Sequence, residues 1–298
     1  MKTKKKILVL GGSGFLGFNL IQKLVKKKNY QIYSLSSRKK NFNKKIYNVK
    51  YFYCDISKFS NLKKIINRNF NIIINLSGNI DHKKNIETKK VHFEGLKNLL
   101  KLVDQKSLEL FIQIGSSLEY GKKLSPQKER LFCNPISYYG KAKYKASLFV
   151  KKHLKNFVIL RPYQIFGPHQ KNNRLIPMTI MACLNNLNFP CTSGNQLRDF
   201  LYVDDFSDLI IKIIKKKNFK HRIYNVGNGK SIKVKTVINL IHKIIHKGKP
   251  LFGRIKMRTD ELKTLYPDIS RIKKEFNWKP KVSLKKGLKN TISYYEKR

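Results

Sequence analysis

The run Gly11-Gly12-Ser13-Gly14-Phe15-Leu16-Gly17 constrains this chain more than any other stretch, because of what flanks it. Before it stands a short apolar run, residues 7–10, and after it Leu20, Ile21, Leu24 and Val25 recur at helical spacing. That order reads as a strand, a glycine turn and a helix. Glycines at 11, 14 and 17 let backbone N–H groups approach a pyrophosphate, whose charge the helix N-terminus also stabilises. Glycine turns join many strands to helices, so the flanking elements are what make this one a candidate dinucleotide site.

Further strand candidates follow at 31–36, 49–54, 71–76, 110–115 and 157–161, with helical stretches between them at 61–69, 91–103 and 137–154. Such alternation predicts an α/β fold, a doubly wound parallel sheet of the Rossmann type with helices on both faces. Past residue 168 the alternation weakens, and Gly167-Pro168 and Pro177 punctuate the chain. The expected organisation is a dinucleotide-binding domain over 1–168 and a smaller α/β portion over 169–298, from which about 200–226 return to the first.

Composition narrows the function classes. No stretch approaches the roughly 20 apolar residues that span a bilayer. The apolar run behind the basic start is too short for a signal-peptide core, so a cytoplasmic location and no membrane partner are expected. Cys54, Cys133, Cys183 and Cys191 form no CxxC pair and read as reduced, mostly structural thiols. The formal charge of +48 invites a nucleic-acid reading. Lysines outnumber arginines about five to one and are spread along the whole chain, which fits solvated faces better than a dedicated site, so no specific nucleic-acid partner is expected. His242 and His246 are four apart but have no third ligand nearby, so no metal is expected.

Tyr139 and Lys143 are also four apart and share one face of a helix. A phenol has a pKa near ~10, and a neighbouring ammonium favours its charged form, so the pair suits proton exchange with a hydroxyl or ketone. Leu35-Ser36-Ser37-Arg38-Lys39 at the end of the second strand contains no acid to hold ribose hydroxyls, while Ser36 and Arg38 suit a 2′-phosphate. NADP(H) is therefore favoured as cofactor, with NAD(H) the alternative.

Several motifs in order resemble the extended short-chain dehydrogenase/reductases, the nucleotide-sugar epimerase, dehydratase and reductase family. They are GGSGFLG at 11–17, Cys54-Asp55-Ile56, IGSSLEYG at 114–121, PISYYGKAK at 135–143, RPYQIFGP at 161–168, RDFLYVDD at 198–205, YNVGNG at 224–229 and DISRIKKEFNWKP at 268–280. The resemblance implies Ser116, Tyr139 and Lys143 as catalytic residues, Lys143 also holding the nicotinamide ribose and Asp55 the adenine. It implies cofactor contacts from Gly11, Ser13, Gly14, Phe15, Leu16, Gly17, Ser36, Arg38, Ile56, Leu76 and Ser77. For a nucleotide-sugar substrate bound by the C-terminal portion it implies Arg198 and Arg258 on the diphosphate, Glu261 on the ribose, and Ser117 and Gln164 nearby. Guanidinium groups suit a pyrophosphate better than ammonium groups do. A homodimer formed through 91–103 and 137–154 is implied as well.

The chain also departs from the family's pattern. Asn75-Leu76-Ser77-Gly78 stands where His-Leu-Ala-Ala is frequent, His92 where Asn is frequent, and Gln164 likewise. Where the similar 4,6-dehydratases carry an Asp and a Glu after the catalytic hydroxyl, this chain has Ser117 and Leu118, and leucine transfers no proton. Dehydration is disfavoured, and reduction of the C4 ketone of an NDP-4-keto-6-deoxyhexose is preferred to 4-epimerisation with tightly bound NAD. Residues 252–258 are also similar to reductases that make 6-deoxy or dideoxy sugars. A non-catalytic, RNA-associated member of the fold is the remaining alternative, opposed by the intact Ser116, Tyr139 and Lys143.

Overall fold

The computed structural model describes residues 4–37, 46–66, 69–78, 90–258 and 261–297. The chain divides into two compact units, one made of Met1–Lys122, Arg130–Pro162 and Ser207–Tyr224, the other of Lys123–Glu129, Tyr163–Phe206 and Asn225–Arg298.

Apolar runs build the main sheet: β1 (Lys5–Leu10), β2 (Tyr30–Ser36), β3 (Val49–Tyr53), β4 (Ile72–Asn75), β5 (Leu110–Ile114), β6 (Phe157–Pro162) and β7 (Ile223–Val226). Their order across the sheet is β7-β6-β5-β4-β1-β2-β3. The pairs from β3 through β6 are parallel, and the Ile159 N–H to Arg222 O and Tyr163 N–H to Val226 O bonds extend the same direction to β7. Strands covered on both faces must be apolar throughout, and Ile7, Leu8, Val9 and Leu10 are accordingly all fully buried. The strand order reverses between β1 and β4, and in a doubly wound sheet that switch point is where ligands bind, at the carboxyl ends of the strands.

Four helices matter for the site: α1 (Phe15–Leu24), α2 (Phe59–Ile65), α3 (Gly95–Leu102) and α4 (Tyr138–His153). Ser137 caps α4 by accepting the Gly140 N–H at 3.1 Å, and Lys151 and Lys152 place positive charge at its carboxyl end. Leu96, Leu99 and Leu100 of α3 and Ala146 and Val150 of α4 join Leu8, Leu10, Ile73 and Phe111 in one core. The expected helix over 91–103 opens instead with a π-helical turn, Lys90–Glu94, and becomes α-helical only at Gly95. A Cβ at Gly95 would fall 2.5 Å from Ile56 Cγ1, so that glycine marks where the helix passes tightly over the segment after β3.

The second unit carries three small sheets. Residues 200–202 pair with 164–166, 197–198 lie between 232–233 and 264–265, and 249–251 pair with 188–190. Fully buried Asp199 ties this unit together by accepting the N–H groups of Asn228, Gly229 and Lys230 at 2.7, 2.6 and 3.2 Å. Burial pushes its pKa up to about 6 against the lowering effect of those three bonds. Among the described residues no helix is long and apolar enough to cross a membrane.

The join of β1 to α1 is testable. A Cβ at Gly17 would lie 2.3 Å from Gly11 O and 2.6 Å from Gly12 Cα, both backbone atoms that cannot swing aside. Gly17→Ala gains up to ~1 kcal/mol of helix propensity but loses more, about 1–3 kcal/mol, to overpacking. A lower thermal midpoint and weakened dinucleotide binding by calorimetry are expected; an unchanged midpoint would show that the turn has room.

Candidate active site

The glycine turn sits at the switch point. Gly11 adopts φ +76°, and a Cβ there would come within 2.9 Å of the Leu76 carbonyl, at the end of β4. Leu76 in turn donates its N–H to Leu10 O at 3.0 Å. The Gly14 N–H closes the turn onto Gly11 O at 2.9 Å, and the Ser13 N–H reaches Ser36 Oγ at 3.0 Å. Gly14 is the N-cap of α1 and no side chain caps that end, so the first N–H groups of the helix face an uncovered backbone cradle. Uncapped backbone N–H groups at a helix N-terminus, behind a turn packed too closely for side chains, fit the pyrophosphate of a dinucleotide. Phe15, Leu16 and Gly17 form the first turn of that helix.

Neighbouring segments complete this end of the sheet. Asp55 accepts from the Ser57 N–H and Oγ at 2.9 and 2.8 Å, and Asn98 donates to Ile56 O and Ser57 O at 3.2 and 2.9 Å. Ser77 donates both its N–H and its Oγ to Asn75 Oδ1, whose own amide donates to Gln113. Ser36 is buried and engaged in holding the turn, while Arg38 lies outside the described residues.

The residues expected to carry the proton transfer stand on the segment after β5 and on α4. Ser116, immediately beyond the Gly115 that follows β5, caps the turn Ser117–Glu119: its Oγ accepts the Leu118 N–H at 3.1 Å, and Glu119 Oε1 accepts the Ser116 N–H at 2.8 Å. Glu119 is fully buried, also accepting from Ser147 Oγ on α4 at 3.1 Å and from Arg161 Nε and Nη2 on β6 at 3.0 Å each. Burial opposes the charge on Arg161, but Glu119, Tyr120 and Cys133 together push its pKa up. The guanidinium also lies 4.6 Å from the centre of the Tyr120 ring.

Lys143 has only 3% of its surface exposed, and its Nζ donates to Ile114 O at 2.8 Å, two residues before Ser116. The same Nζ lies 5.9 Å from the Tyr139 ring centre. Burial pulls its pKa down to about 8, with the Glu119 carboxylate working the other way. Tyr139 is half-buried, and the buried His92 ring packs against it in a T-shaped pair, centroids 5.2 Å apart and planes at 89°. A Cβ at Gly140 would lie 2.6 Å from Leu118 O, so the first turn of α4 presses directly on the Ser116 turn. Ser116, Tyr139 and Lys143 thus stand on backbone segments in direct contact.

Within the second unit, Arg198, Arg258 and Glu261 form one cluster. The Glu261 carboxylate pairs with Arg198 through one oxygen and with Arg258 at 2.7 Å through the other. Arg198 is buried and also donates to Leu197 O at 2.8 Å, whereas 69% of the Arg258 side chain is exposed. Gln164 opens the strand 164–166, and its N–H donates to Asp199 O at 3.2 Å. Ser117, in the first unit, is buried.

Motif reading passes over Glu119, Arg161 and Gly12. Glu119 follows Ser116 at the spacing of a capping box, which is the signal that identifies it. Gly12 has no such signal: only the fold shows that a Cβ there would lie 2.2 Å from Ser34 Oγ.

A profile of the NAD dependent epimerase/dehydratase family matches residues 7–227. The chain belongs to that family and is an enzyme of it. It is 27% identical to a putative UDP-glucose 4-epimerase of Methanocaldococcus jannaschii, covering 97% of each chain. It is 28% identical to the CDP-abequose synthase of Salmonella muenchen, covering 99% of this chain and 100% of that one. Its fold matches the UDP-glucose 4-epimerase of Thermotoga maritima, solved with UDP-glucose, at a TM-score of 0.89 over 98% of this chain and 99% of the other, at 23% identity.

The buried ammonium gives a prediction with a definite sign. Lys143 titrates near 8 when folded and near its ordinary 10.5 when unfolded, so between those values the unfolded chain binds more protons and folding stability rises with pH. At neutral pH the burden of holding the charge is about 3 kcal/mol. In Lys143→Met that burden is absent at every pH. The thermal midpoint of the variant relative to the native chain should therefore fall as pH rises from about 7 to about 10, and a difference independent of pH would contradict the assigned burial.

Proposed function

We propose that this enzyme is an NAD(P)-dependent oxidoreductase of nucleotide-linked sugars that acts at the sugar C4, with Tyr139 as its proton carrier. The observation that carries the reading is the half-buried phenol beside a buried ammonium whose pKa has fallen to about 8. An ammonium in a low-dielectric site stabilises a phenolate far more than one in water does. When bound, the nicotinamide supplies the hydride for the sugar carbon. Tyr139 gives its proton to the resulting alkoxide, Ser116 donates a hydrogen bond to the same oxygen, and Lys143 holds the phenolate until it regains a proton. Arg198 and Arg258, on their shared carboxylate, hold the diphosphate of the nucleotide.

The preferred reaction is NADPH-dependent reduction of the C4 ketone of an NDP-4-keto-6-deoxyhexose. Leu118 offers no proton, and Glu119, the carboxylate beside it, is fully buried on Arg161, which leaves dehydration without its acid and base. A CDP-abequose synthase among the relatives and the lack of an acid behind β2 support reduction. The second reading is 4-epimerisation with retained NAD, supported by relatives named as 4-epimerases and by the engagement of Ser36 within the protein. We also propose that the enzyme works as a homodimer through α3 and α4, to be checked by light scattering.

Incubation with NDP-sugars and their 4-keto derivatives, with and without NADPH or NADH, distinguishes the reactions by mass spectrometry. Gain of two hydrogens from NADPH means reduction, and unchanged mass with altered configuration means epimerisation. Tyr139→Phe should lower kcat by about 10²–10⁴-fold while cofactor affinity holds. Turnover at the native rate in that variant would remove Tyr139 from the chemistry.

A further inference from the structure

We propose that His92 is a positioning residue for Tyr139, and that it can take this place only because residue 78 is glycine. The inference deepens the function proposed above and rests on Tyr139 being the proton carrier.

Two observations carry it. His92, in the π-helical turn Lys90–Glu94, has only 3% of its surface exposed, and its ring and that of Tyr139 form a T-shaped pair, centroids 5.2 Å apart and planes at 89°. Gly78 lies three residues past the end of β4, and a Cβ added there would fall 2.1 Å from His92 Cε1, 2.9 Å from Nδ1 and 3.1 Å from Nε2. The imidazole therefore occupies the volume that any side chain at 78 would need. A flexible tip could swing away from such a clash, but His92 is buried and packed against the phenol, so any turn of its ring would disturb that contact.

The consequence falls on Tyr139. Lys143 Nζ sits 5.9 Å from the centre of the same ring, so the phenol is bordered by a cation and by an imidazole at right angles to it. Edge-to-face contact orients a ring as well as attracting it, and it restricts the rotamers of a side chain that is otherwise only half-buried. An asparagine at 92 reaches less far and presents no ring edge, so it leaves the phenol with more orientations.

The test is a double-mutant cycle on the full chain. His92→Asn should lower kcat about tenfold with KM and cofactor affinity changed less than about twofold, because the phenol is misdirected while the binding groups remain. Gly78→Ala alone should be the worst of the set, in kcat and in thermal midpoint, since its methyl drives His92 into Tyr139. The double variant should recover the midpoint and match the kcat of His92→Asn, a strongly non-additive result. If Gly78→Ala fails to fold, the folded double variant still reads the coupling. Additive effects, a harmless Gly78→Ala, or a double variant as damaged as Gly78→Ala would overturn the proposal. A native enzyme that turns over no sugar in the panel would instead overturn the functional reading on which it rests.

Discussion

The carboxylate of Glu119 is the contact on which the first unit's active end depends. It has no access to water, and it receives hydrogen bonds from the Ser116 N–H, from Ser147 of α4 and from Arg161 of β6. Those partners come from three elements separated in sequence, so one buried charge fixes the loop after β5, the helix that bears Tyr139 and Lys143, and the next strand. An isolated carboxylate here would be very costly; paired and fully hydrogen-bonded it is tolerable, and removal of one partner would leave the other charge stranded. The same charge favours the ammonium of Lys143 against the burial that lowers its pKa. Structure and chemistry therefore share one electrostatic support.

Close backbone approach is the second constraint. The turn after β1 touches the end of β4, α1 touches the turn, and α4 touches the Ser116 turn, each where a Cβ would intrude. A parallel sheet brings these loops to one edge, and small residues let them come near enough for backbone groups to act as ligands. Gly78 belongs to the same economy of volume, except that the space it leaves is filled by a side chain of the protein itself.

Much of this was legible in the sequence because the first unit is written in local patterns. Apolar runs mark β1, β2, β4 and β5 to within a residue or two, and the glycine spacing marks the turn. Their spacing puts Tyr139 and Lys143 on one helix face, the ordered motifs around them single the pair out, and the structure brings both to the Ser116 segment. Less legible were features set by distant partners. The strands 197–198, 232–233 and 264–265 are two residues long, too short for any period, and owe their existence to pairing across the second unit. The link of Arg198 and Arg258 through Glu261 depends on a separation of 63 residues, which no motif encodes. Nor does any motif announce that the Ser36 hydroxyl, at the end of β2, accepts the Ser13 N–H of the glycine turn.

The charge of +48 and the chemistry of the site belong to different physical regimes. Most of the lysines are exposed, where salt screens them over roughly 8 Å and their individual contribution to stability is small. What such a surface does supply is a long-range attraction for anions, which raises the encounter rate with a dinucleotide or a nucleotide diphosphate without selecting between them. Selection and reaction need charges that water does not screen. Lys143, Glu119 and Arg161 are such charges, each at least 96% removed from solvent by surface area or side-chain area. An inventory of charge thus describes the field that a ligand meets at long range, whereas the three buried ionic groups set the electrostatics around the phenol of Tyr139.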